Sequence, residues 1–93
     1  MLEVTEKILA SIHAVPMSYN EISALPYLKT ISDYGISFSI EVLLKDDLIV
    51  EKVIDRHPFR TKEYREKYGE VVKIKYRATK KGERYLIEHG YLD

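Results

Sequence analysis

The chain has no cysteine, no tryptophan, no glutamine and a single asparagine, Asn20. Without cysteine there is neither a disulfide framework nor a thiolate metal site. Long apolar stretches are also missing. The longest runs are three or four residues, too short to span a bilayer. Glu3 and Glu6 interrupt the N-terminal MLEVTEKILASIH, where a signal peptide needs an apolar stretch, so a cytoplasmic protein is expected. Net charge is absent too: fifteen Lys plus Arg balance fifteen Asp plus Glu, which argues against a histone-like protein that binds by bulk charge. Internal repeats and Gly/Ser linkers do not occur. With 93 residues, a single domain over 1–93 is expected. The missing amides accompany ten Ile, ten Lys and ten Glu, a thermophilic habit of composition.

What is present begins with a charge asymmetry. Residues 1–50 carry three bases against seven acids, and residues 52–81 carry eleven bases against four, a net of +7. That pattern fits a basic face for a polyanion, or equally a solvated, Lys-rich hairpin. Along the chain, Val4, Ile8 and Ile12, with Leu9 beside them, form a helical stripe that Pro16 ends. Ser18 and Glu21 are spaced as a capping box, with Met17 and Ile22 as a hydrophobic staple. The spacing predicts a helix over Tyr19–Leu25, and a second piece over Tyr27–Ser32 after Pro26. Asp33-Tyr34-Gly35 reads as a turn. Ile36, Ile40, Leu43 and Leu44 line the buried side of a helix over 36–46. Leu48–Ile54 reads as a strand. Val71–Ala78 alternates as another, with Lys73, Lys75 and Arg77 on its open face. Residues 56–70 between them read as a short helix capped by Thr61 or as an extended hairpin. Thr79 caps a last helix that Gly90 stops, with Tyr85 and Leu86 facing inward.

This order resembles the winged helix-turn-helix domains of small transcription regulators of the PadR and MarR kind, many of them archaeal or encoded by archaeal viruses. Three stretches carry the resemblance and together span about residues 4–90. Tyr19-Asn20-Glu21-Ile22-Ser23 is similar to the opening of the helix-turn-helix. Gly35-Ile36-Ser37 through Leu43, followed by Asp47-Leu48-Ile49-Val50-Glu51, is similar to a recognition helix running into the first wing strand. Tyr76-Arg77-Ala78-Thr79-Lys80-Lys81-Gly82 is similar to the Tyr-x-Leu-Thr-x-x-Gly pattern that starts the last helix. The chain departs from the pattern in a longer stretch between Ile22 and Ile36, in Asp47 where a glycine is usual, and in a long wing loop.

The resemblance implies an α+β fold: a three-helix bundle, a β-hairpin wing and a C-terminal helix. It also implies sequence-specific binding of double-stranded DNA by a transcriptional regulator acting as a homodimer, with the 36–46 helix in the major groove. The outward residues of that helix would be Ser37, Phe38, Ser39, Glu41, Val42 and Lys45, with Phe38 alternatively a partial core residue. Phosphate contacts would come from Arg56, Arg60, Lys62, Arg65, Lys67, Lys73, Lys75 and Arg77. Tyr85, Tyr91 and Leu92 would join the first helix in the dimer interface, or would instead complete the monomer core. A protein–protein interaction module without DNA affinity is the alternative, favoured by the acidic helix. Single-strand or RNA binding through the Tyr/Arg loop is a weaker third. His13, His57 and His89 lack metal-ligand spacing, and no nucleophile elbow or phosphate loop occurs. Neither an enzyme nor a metal or other cofactor is expected.

Overall fold

The computed structural model describes residues 1–55, 62–63 and 72–93. They form an α+β arrangement: α1 (Glu3–Ala14), α2 (Tyr19–Ser23), a 3-10 turn (Pro26–Leu28), α3 (Asp33–Lys45), β1 (Ile49–Asp55), β2 (Val72–Ala78) and α4 (Lys80–Glu88). Strands β1 and β2 pair antiparallel from Ile49↔Ala78 to Asp55↔Val72. Met17 adds an isolated bridge on the other edge of β2. Its N–H donates to the Tyr76 carbonyl at 3.1 Å and its carbonyl accepts from the Tyr76 N–H at 2.7 Å. No described helix is long and apolar enough to cross a membrane.

The core gathers Ile8, Leu9 and Ile12 of α1, Ile22, Leu28, Ile36, Ile40 and Leu43 of α3, Leu48, Ile49 and Leu86 of α4. These are the periodic apolar positions of the sequence, brought onto the base of the hairpin. Two hydroxyls share that interior. Thr5 and Ser39 are both buried, and their oxygens lie 2.9 Å apart, so each satisfies the other.

The capping box at Ser18 forms as its spacing predicts: the Glu21 N–H donates to Ser18 Oγ at 3.3 Å and the Ser18 N–H to Glu21 Oε1 at 3.4 Å. Helix α2 stops two residues earlier than expected, at Ser23. Leu25, which precedes Pro26, is held in extended backbone at φ −63° and ψ 135°. The second helical piece shortens to the 3-10 turn, which presses Leu28 into the core while the Tyr27 hydroxyl donates to the Lys7 carbonyl at 3.1 Å. A further boundary correction concerns α3. Asp33-Tyr34-Gly35 is its first turn and not a loop, because Ser32 acts as the N-cap and accepts from the Gly35 N–H at 3.2 Å. The short helix or extended hairpin expected over 56–70 lies outside the described residues, apart from Lys62 and Glu63.

Helices α3 and α4 end alike. After α3 the Leu48 N–H donates to the Leu43 carbonyl at 2.9 Å and the Asp47 N–H to the Leu44 carbonyl at 3.1 Å. After α4 the Tyr91 and Gly90 N–H groups make the same pair of bonds to Leu86 and Ile87, at 2.9 and 3.2 Å. Both are Schellman closures, which place one residue in the left-handed region. That residue is Gly90 (φ 80°) after α4 but Asp47 (φ 59°) after α3.

Helix α4 is clamped at the joint between α3 and β1. The Thr79 hydroxyl donates to the Asp47 carbonyl at 2.6 Å and accepts from the Gly82 N–H at 3.0 Å, while the Thr79 N–H donates to the Leu48 carbonyl at 3.0 Å. Gly82 packs so closely on Leu48 that a Cβ there would overlap its backbone carbonyl. The Thr-x-x-Gly spacing is therefore a packing requirement.

Candidate nucleic-acid interface

Helix α3 spans 13 residues, roughly 20 Å at 1.5 Å per residue. Its inner face is fixed by Ile36, Ser39, Ile40 and Leu43. Tyr34, Ser37, Phe38, Glu41 and Lys45 are exposed, and Val42 is half-buried. Five of the six expected reading residues thus reach the surface at least in part. Ser39 does not: it is 2% exposed and bonded to Thr5, because it lies on the same helical stripe as Ile36 and Leu43. Ser37 is exposed, yet its hydroxyl reaches the Tyr19 hydroxyl at 3.5 Å. Phe38 is 49% exposed, which settles it as an outward residue.

Tyr34 is the residue the sequence reading missed. It is 81% exposed in the first turn of α3, one turn before Phe38. Ser32 followed three residues later by Gly35, with an acid at Asp33, was the available signal for the earlier helix start.

The basic residues are distributed differently from expectation. Directly paired residues of an antiparallel ladder share a face, and faces alternate along a strand. Glu51 and Tyr76 form one pair and line a cleft with Ile40, Glu41 and Leu44 of α3. The intervening pairs, Val50 with Arg77 and Lys52 with Lys75, therefore belong to the opposite face of the hairpin. Lys75, moreover, is not a free cation: its side chain is 25% exposed and its ammonium lies 3.4 Å from Glu21 Oε1. Arg77 and Lys62 are exposed. Arg56, Arg60, Arg65 and Lys67 lie outside the described residues, as does the side chain of Lys73.

The side chains expected at a dimer interface are engaged within the chain. Tyr85, Tyr91 and Leu92 pack on the core. The Tyr85 and Tyr91 hydroxyls donate to Glu6 at 2.6 and 3.2 Å. The Tyr85 hydrogen bond holds the Glu6 carboxyl below its ordinary 4.5, against the opposing effect of burial. Burial, then the bond to Glu6, pushes the Tyr85 phenol from 10.0 up to about 12. His89 stacks on Tyr85, with ring centroids 3.8 Å apart. His13 pairs with Glu83 at 3.2 Å. No cluster of three or more potential metal ligands occurs among the described residues. Compared with family models, curated proteins and solved structures, the chain matches none.

Proposed function

We propose that the protein is a small winged-helix domain that binds double-stranded DNA, with α3 as the helix that enters the major groove. The observation that carries this reading is the uncovered outer face of α3. It bears Tyr34, Ser37, Phe38, Glu41 and Lys45 at the end of a helix–turn–helix and directly before a hairpin. The bridge between Met17 and β2 supports the same layout, since it ties the segment before α2 to the free edge of the hairpin. An α-helix fits the width of the major groove. There Glu41 accepts from cytosine N4–H, Phe38 and Val42 meet thymine methyls, and Tyr34 enters first. Phosphate contacts come from the segment joining the strands, with Arg56, Arg60, Lys62, Arg65 and Lys67, and not from Lys75, which Glu21 already holds. Two copies on paired half-sites add the contacts that one small domain lacks.

Selection of bound sequences from a random duplex library tests the reading. It predicts an enriched motif, repeated with a spacing near one helical turn. A library that returns no motif at low salt contradicts it.

A second reading rests on a specific observation. Glu41 and Glu51 flank the groove between α3 and the hairpin, and Lys52, Lys75 and Arg77 lie on the far face. That charge arrangement suits a protein partner of opposite charge better than a phosphate backbone. Duplex affinity that is absent in the same selection, with α3-dependent association to a basic protein, would favour it.

A further inference from the structure

The cleft between α3 and the hairpin has a volume of about 320 Å³ and is lined by Tyr19, Ser37, Ile40, Glu41, Leu44, Glu51 and Tyr76. Its construction is graded. Ile40 and Leu44 give an apolar floor, Tyr19 and Tyr76 bring two aromatic side chains, and Glu41 and Glu51 stand exposed at the rim. The surrounding bonds hold this shape. The Met17 bridge fixes Tyr19 beside β2, and the Tyr19 hydroxyl donates to the Asp33 carbonyl at 3.2 Å. The two carboxylates come from different elements, and neither has an ion-pair partner among the described residues.

The geometry points to a binding site for a small organic cation with an apolar or aromatic body, its charge between Glu41 and Glu51 and its body against Ile40, Leu44 and the two tyrosines. An anion is opposed by both carboxylates. A bare metal ion gains nothing from the apolar floor and finds no third acidic or imidazole ligand among the described residues. An ammonium joined to a ring or alkyl chain matches the lining: carboxylates for the charge, two tyrosines for an aromatic contact, isoleucine and leucine for the body. Burial, then Glu51, then Tyr19 raise the Tyr76 phenol above its ordinary value. The volume lies at the small end of ligand sites, which suits a small occupant. The cleft shares Ser37 and Glu41 with the face proposed to meet DNA, and the test below uses no DNA, so the two readings can fail separately.

Titrating the isotope-labelled full chain with 2-phenylethylammonium, followed by NMR, tests the site. 2-Phenylethanol serves as the neutral probe of the same shape. The expected result is saturable shifts confined to the Tyr19 and Tyr76 rings and the Ile40 and Leu44 methyls, with the alcohol binding at least about tenfold more weakly. The E41Q/E51Q double variant, whose unchanged spectrum outside the cleft reports its fold, should weaken the cation by about as much and leave the alcohol unaffected. Equal binding of cation and alcohol by the wild type overturns the proposal, as do shifts spread over the whole surface or undiminished cation binding by the double variant.

Discussion

Helices α3 and α4 are built on one local plan and put to different uses. Each starts at a hydroxyl residue, Ser32 or Thr79, that accepts from a glycine N–H three positions on, and each closes in a Schellman turn. Each also buries one stripe in the shared core. Outside that stripe they diverge. Helix α4 exposes Lys80, Lys81, Glu83, Arg84 and Glu88, with Ile87 its one exposed apolar residue of size. Helix α3 exposes Tyr34 and Phe38, two aromatic side chains one turn apart. The comparison separates what holds the chain together from what is left for a partner. The exposed face of α4 is mostly charged, whereas that of α3 sets Tyr34 and Phe38 beside Glu41 and Lys45.

The two cap glycines break the comparison most sharply. Gly82→Ala forces a methyl into the Leu48 carbonyl and should cost about 3 kcal/mol, measured by urea unfolding. Gly35→Ala meets side-chain atoms alone, a methyl of Ile31 at 3.0 Å and Ser32 Oγ at 3.6 Å, and should change stability far less. Next comes Ser39→Ala, which strands the buried Thr5 hydroxyl at a cost of about 1–2 kcal/mol. Because Ser39 faces inward, this variant should leave any DNA sequence preference unchanged. The helix ends give a smaller, opposed pair. Asp47→Gly relieves a left-handed residue and a carboxylate at a helix C-terminus, and should stabilise by about 1 kcal/mol. Gly90→Ala should destabilise by about the same amount.

Acid and base give a further test through Glu6 and Tyr85, which join α1 to α4. A carboxyl lowered in the folded state contributes stability above its unfolded value of 4.5 and loses it as pH falls through the folded one. A phenol raised to about 12 contributes below 10.0 and loses that contribution as pH rises toward 12. Unfolding midpoints should therefore decline at both extremes, and Tyr85→Phe should flatten both declines. The smallest stability effect belongs to Tyr34→Ala and Phe38→Ala, within about 0.5 kcal/mol each, since neither packs in the core.

Much of this architecture is legible in the sequence where a single local rule decides. The Ser18–Glu21 box, the Thr79 cap and the stripe of α1 follow from spacing alone. Alternation also separates the two faces of β2. What alternation cannot supply is which face meets α3; that depends on pairing, through Glu51↔Tyr76, and it turns Lys75 and Arg77 away from α3. Ser39 was hidden because its hydroxyl looks solvent-seeking, although its position between Ile36 and Leu43 marks the buried stripe. Its partner Thr5 stands 34 residues away. Tyr34 was hidden because a glycine beside it reads as a turn, whereas here that glycine is the third residue of a capped helix.

The central claim is that the outer face of α3 recognises duplex DNA. The direct measurement is affinity for the selected duplex and for a scrambled duplex across a salt series. The proteins compared are the wild type, a Tyr34→Ala/Phe38→Ala variant and a Lys52→Ala/Arg77→Ala variant. The account predicts that the α3 variant loses the preference for the selected sequence, while the outer-strand variant keeps it with little change in salt slope. Retained preference in the α3 variant, or its loss in the outer-strand variant alone, would contradict the account.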